Sequence, residues 1–372
     1  INAWGPGFVG YHFLSSPVAA QAINPEFVPG APPYGTTEDF YAWDEATNTW
    51  VNFKNSVTAP TWNTANVLGG VSGAGNFIPG KGYLVEYQDA DTKQFSGTLN
   101  IDGVSLSGFT IASGSNRGWH LLGNPYQSAL SWGTTAWALN NINATAKIWD
   151  EAGAAYTDIS EGGPNTVIPS LNGFMVQVNE GFSGNNSLTI PASERVHSAT
   201  AWYKSGTASC ILLTASDLIG QTAQQSVIRF EDAATQGFDP AFDAHFLPGY
   251  APLFYSVSHG EQLSTIALPE AGGTVQIPFD FIKNSGSVFT IEASMIRDVY
   301  GPVVLKDLKT GTSQDLTIDP VYFFTADDGD NPARFLVTFS HVGTAETAAQ
   351  SPFIFYSSGN SIVVSGSGLM PD

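Results

Sequence analysis

Apolar and polar residues alternate along much of this chain in short runs of about four to eight, the two-residue period of strands with one face buried. Tyr83, Val85 and Tyr87 share one face, with Leu84 and Glu86 on the other. Phe174, Val176 and Val178 stand in the same way against Met175 and Gln177. An Ile-Pro pair and a glycine precede both runs, and such residues mark a lead-in turn because proline offers no ladder donor and glycine tolerates unusual angles. Residues 11–14 and 119–122 predict another pair of strands, stopped by Pro17 and Pro125, and residues 97–101 and 186–190 predict two closing strands. One short helix is expected at 132–139. Beyond His197 the runs 211–213, 227–230, 274–277, 288–291 and 335–339 are separated by polar turns, the spacing of a sandwich or jelly roll. Residues 344–351 read as a linker, and 352–356 and 361–364 as two last strands, too few for a stable domain of their own.

The pattern also repeats. Gly10-Tyr11-His12-Phe13-Leu14 returns as Gly118-Trp119-His120-Leu121-Leu122, and Trp43-Asp44-Glu45-Ala46 returns as Trp149-Asp150-Glu151-Ala152. Ile78-Pro79-Gly80-Lys81-Gly82-Tyr83-Leu84-Val85 returns from Ile168 to Val176 with one inserted residue. Three blocks in one order mark two copies of a module, and the spacing is too long for a solenoid of units of roughly 20–50 residues. The expected fold is therefore all-β: two homologous sandwich-like modules at 1–107 and 108–198, a jelly-roll-like sandwich at 199–346, and a linker with terminal strands at 347–372.

Charged residues make up only 12% of the 372, which suits short strands and turns better than long solvated helices. The formal net charge of −20 repels phosphate backbones and argues against a nucleic-acid partner. No apolar run approaches the roughly 18 residues of a membrane-spanning helix. Cys210 is the single cysteine, so no intrachain disulfide forms, and its apolar neighbours predict a buried thiol. A chain that starts at Ile1 is expected to be processed or a fragment of something longer.

The phrase Gly118-Trp119-His120-Leu121-Leu122-Gly123-Asn124-Pro125-Tyr126 resembles one common in large secreted proteins of Bacteroidota that leave the cell through the type IX secretion system. The stretch containing Phe230-Glu231, Gly237-Phe238-Asp239, Val304-Leu305-Lys306-Asp307 and Ala333-Arg334-Phe335 is similar to the sandwich that often precedes their sorting domain. Residues 355–364 look like that domain's linker and first strand, although the chain stops at Asp372, short of a full one. The resemblance implies an extracellular or cell-surface protein, and it specifies no activity.

Candidate chemistry is sparse. The adjacent carboxylates of Trp-Asp-Glu-Ala point to opposite faces of a strand and cannot form a glycosidase dyad, which needs two carboxyls facing one cavity. They are expected at a strand end, with the tryptophan in the core. His12 and His120 recur at equivalent positions, yet no metal-binding histidine spacing and no nucleophile elbow occurs, so no enzyme is expected. Asp327, Asp328, Asp330 and Asn331 form the best loop with oxygen ligands for calcium, with Asp232, Asp239 and Asp243 a weaker second set; against the first stands a solvated turn, the favoured reading. Trp50 and Trp62 have no matching tryptophan in the second copy, and they are the candidates for stacking on sugar rings. Phe353, Phe355, Ile362 and Val364 alternate along the terminal strands and are the candidates for self-assembly, since an exposed strand edge templates pairing with another chain. The expected role is a structural or adhesive surface protein with copies of itself or cell-surface components as partners. The alternative is a carbohydrate-binding array of a secreted polysaccharide-degrading system.

Overall fold

The computed structural model describes residues 10–89, 91–112, 117–181, 184–197, 209–269, 273–299, 301–341, 353–358 and 361–366. Its elements are almost all strands, as the alternation predicts. In the first copy a four-stranded antiparallel sheet runs in the order His12–Leu14, Tyr83–Tyr87, Glu38–Asp44, Thr49–Asn52. In the second, the order is Trp119–Gly123, Gly173–Gln177, Thr145–Asp150, Ala155–Ser160. The topology is the same, and so is the register. Phe13 lies opposite Leu84 as Leu121 lies opposite Met175, and Trp43 lies opposite Trp50 as Trp149 lies opposite Tyr156. Tyr156 is thus the second copy's counterpart of Trp50.

Each of these sheets is buried on both faces. One face of the first covers its own core of Phe27, Phe40, Trp62, Phe77, Tyr83 and Val85, and one face of the second covers Tyr126, Trp132, Trp137, Ile148 and Phe174. The remaining faces meet in a shared core of Phe13, Leu84, Trp119, Leu121, Trp149 and Met175. Both-sided burial explains why every residue of Tyr83–Tyr87 and Gly173–Gln177 is buried where alternation predicts half.

The copies meet about a pseudo-two-fold axis. Lys81 bridges Leu122, and Leu14 bridges Asn172, which is the same pairing with the copies exchanged. The approach is close enough to require glycine: a Cβ on Gly82 would lie 2.2 Å from the Leu122 carbonyl oxygen.

Two sequence expectations change. Val104–Ser107 pairs with Ser187–Ile190, so this strand belongs to the second unit rather than the first. Leu99 instead bridges Val18, so the two closing segments are not equivalents. No helix forms at 132–139. The Trp137 amide reaches the Gly133 carbonyl, but Ala138 takes a positive φ of 48° and stops the turn. Among the described residues the one α-helix is Trp62–Ala65.

The third unit is an eleven-stranded sheet folded over an apolar core that includes Phe254, Phe279, Phe289, Phe324 and Phe335. Its strands pair antiparallel except Thr222–Phe230 with Glu261–Leu268. Cys210 is buried there, as expected. The unit docks on the second copy: the Ala223 amide donates to the Gly153 carbonyl (2.9 Å), and the Tyr250 amide to the Ala154 carbonyl (2.8 Å). Phe353–Ser358 and Ser361–Gly366 pair with each other as a separate two-stranded sheet. Among the described residues no helix is long and apolar enough to cross a membrane.

Candidate functional site

The shared core does not close completely. Where the outer faces of the two copies diverge, a cleft of about 440 Å³ remains, within the range of roughly 300–1,000 Å³ typical of small-molecule sites. The first copy contributes Tyr11, Phe13, Tyr41, Trp50 and Leu84, and the second contributes Trp149 and Tyr156. Pro248, Gly249 and Tyr250 of the third unit form the remaining wall. Gly249 is what lets this loop press in, since a Cβ there would lie 2.5 Å from the Ala154 carbonyl oxygen and 3.1 Å from the Trp149 ring. The rings are held by edge and tilted contacts. Phe13 lies 6.0 Å from both Trp50 and Tyr156, Trp43 lies 5.0 Å from Trp50, and Trp149 meets Tyr250 at 89°. The walls are therefore a cleft and not a flat platform of coplanar rings.

One end of the cleft is polar. The Tyr11 hydroxyl shares a hydrogen bond with Glu86, and the Tyr41 hydroxyl donates to Asp39 Oδ2 (3.0 Å). Asp39 and Glu86 are direct partners across neighbouring strands. Asp39 is further held by Asn52 Nδ2 (2.7 Å) and Lys54 Nζ (3.5 Å). Glu86 is buried, and burial followed by the Asp39 charge pushes its carboxyl up from the ordinary value. Burial and the neighbouring carboxylates push Tyr11 up to about 12, and burial raises Tyr41 and Tyr156 as well. All three phenols keep their protons near neutral pH and can donate or accept.

Of the two tryptophans singled out from the sequence, only Trp50 lines this cleft. Trp62 is a core residue, 4% exposed, packed on Phe40 and Phe53 with its Nε1 donating to the Ala74 carbonyl (2.5 Å), and it offers no face to a sugar. The carboxylates of the candidate calcium loop face lysines instead of a common centre. Lys309 Nζ pairs with Asp327 (3.2 Å) and Asp330 (2.7 Å), and Lys283 Nζ with Asp328 (2.7 Å). Asn331 Oδ1 accepts the Ala333 amide in the turn. Among the described residues no group of three or more His, Cys, Asp or Glu side chains converges to hold a metal. The side chains of Phe353, Phe355, Ile362 and Val364 lie outside the described residues. The backbone register sets Phe355 opposite Val364.

The repeated motifs turn out to be a clasp. Glu45 of the first copy accepts the Thr110 hydroxyl (2.6 Å) and the Ala112 and Gly118 amides (2.6 and 2.8 Å), beside His120. In the exchanged position Glu151 of the second copy pairs with His12 of the first. A larger groove of about 1070 Å³ lies between the second copy and the third unit, but its cation, Arg229, is engaged by Glu231 and the Glu161 carbonyl, and among the described residues Phe230 and Phe242 are its only aromatics. The cleft is the better candidate because seven of its ten lining residues are aromatic.

No family model, curated protein or solved structure matches this chain.

Proposed function

We propose that this chain is a non-catalytic, extracellular adhesive protein of a bacterial surface that holds glycans in the aromatic cleft. The cleft carries the reading. Aromatic faces cover the apolar side of a sugar ring, while the Tyr11 and Tyr41 hydroxyls and the nearby carboxylates answer its hydroxyls. The resemblance of Gly118-Trp119-His120-Leu121-Leu122-Gly123-Asn124-Pro125-Tyr126 to proteins of the type IX secretion class supports export. The test is a glycan panel probed with the whole chain and with Trp50→Ala. The substitution is expected to weaken binding about tenfold or more, the loss of one stacking face. Absence of any glycan binding, or binding indifferent to Trp50→Ala, overturns the reading.

A second reading is favoured by the terminal hairpin, which pairs with itself rather than joining the eleven-stranded sheet. Its open edges are templates for a strand of another copy, which would make head-to-tail polymers. Electron microscopy of the chain with and without residues 352–372 decides it. Filaments lost with the deletion support assembly, and dispersed particles in both samples reject it.

A further inference from the structure

We infer that the cleft selects basic glycans, those carrying a free amine, over their neutral counterparts. This rests on the glycan-binding reading and specifies its ligand.

The observation is an imbalance of charge at the polar end. Asp39 has Lys54 and Asn52 to answer it, but Glu86 forms no ion pair among the described residues, and its side-chain hydrogen bond is to Tyr11, itself a wall of the cleft. Glu86 is 6% exposed and stands directly across from Asp39, so two carboxylates sit just behind the Tyr11 and Tyr41 hydroxyls at one end of the cleft, with Lys54 paired to Asp39 alone of the two. A buried carboxylate without a cation is costly, and a cation entering the cleft relieves that cost. The aromatic walls favour the same ligand, because the faces of Trp50, Trp149 and the tyrosines attract a cation that has shed its water. Among the described residues no lysine or arginine lines the cleft to repel an ammonium, and the chain's −20 charge draws cations towards it. A neutral sugar would satisfy the rings and leave Glu86 as it is.

Three tetrasaccharides with one β-1,4 backbone separate the possibilities, since they differ only at C2: glucosamine with an ammonium, N-acetylglucosamine with an acetamide, and glucose with a hydroxyl. Titration calorimetry on the whole chain is expected to rank the glucosamine tetramer at least tenfold tighter than the other two, with the advantage shrinking as salt rises. Glu86→Gln keeps a hydrogen-bonding partner for Tyr11 and is expected to bring the three tetramers together. Equal affinity of the amine and hydroxyl tetramers for the wild-type chain overturns this inference and leaves glycan binding standing, whether or not the variant folds. A preference that survives Glu86→Gln in a folded variant also overturns it. Failure of all three to bind, with other glycans equally silent, overturns the glycan reading itself.

Discussion

Glu45 gives its carboxylate to three donors around the second copy, and Glu151 answers from the other side by pairing with His12. The recurrence of His and Trp-Asp-Glu-Ala in both copies thus follows from two-fold packing, where one contact is made twice with the partners exchanged. A sequence shows the recurrence but not the partner, which lies roughly seventy residues away for Glu45, so the motif looks like chemistry when it is a joint. Glu45→Ala would leave the Ala112 and Gly118 amides without their acceptor at a cost of about 3 kcal/mol, whereas Glu45→Gln, which still accepts, should cost less. Urea titration of the two variants checks the order. Burial raises the Glu45 carboxyl, but the amides, the Thr110 hydroxyl and His120 outweigh it and hold the pKa below the ordinary value. The group therefore binds its proton more weakly folded than unfolded. Its contribution is complete above the unfolded value near 4.3 and fades as pH falls through the lower folded value. Glu45→Ala should accordingly lose less stability on acidification than the wild type. Parallel acid limbs for the two would show that this carboxylate does not carry the contact.

Strands show the same division between what a pattern states and what it leaves open. Period-two alternation was enough to place Tyr83–Tyr87, Gly173–Gln177 and the sandwich strands, because each must bury at least one face. It could not say that Leu84 and Met175 face a second core, nor that Tyr156 stands where Trp50 does, since a tryptophan and a tyrosine align only once register is known. The cleft was legible to the extent of one residue, Trp50. Tyr11, Tyr41, Tyr156 and Tyr250 come from four separate segments and converge only through packing, with Glu86 behind Tyr11. The one available hint was Glu86, a charged residue inside an otherwise apolar run. Gly82 tests the geometry of the joint at this scale. Gly82→Ala drives a Cβ into the Leu122 carbonyl, backbone that cannot swing aside, and should cost about 3 kcal/mol by prying the copies apart. Gly30→Ala is the control, since a Cβ there meets nothing within 4 Å and only its positive φ opposes the change. Similar melting points for the two variants would refute the close approach.

At the scale of the whole molecule, the cleft exists only while three units keep their places, because its walls come from all of them. The second copy and the third unit are held by a buried polar network. Lys147 Nζ bonds Asp158 and donates to the Ser264 hydroxyl (2.6 Å), which donates in turn to Asp158 (2.7 Å), as does the Thr265 hydroxyl (2.6 Å). Lys147 occupies the position that Tyr41 holds in the first copy, opposite Met175 as Tyr41 is opposite Leu84. The same site in the repeat therefore lines the aromatic cleft in one copy and is spent on docking a neighbour in the other. Lys147→Ala strands a buried carboxylate and should cost about 3–5 kcal/mol, whereas Lys147→Met with Asp158→Leu removes both charges and should recover most of that. Calorimetry reads the consequence for cooperativity. The wild-type units are expected to unfold together, and Lys147→Ala to split the transition as the third unit lets go; if the cleft holds glycans as proposed, their affinity falls alongside because the loop at 248–250 loses its seat. A single transition unmoved by Lys147→Ala would mean that backbone contacts such as Ala223 to Gly153 suffice to fuse the units. The cleft's third wall would then be independent of the network beneath it.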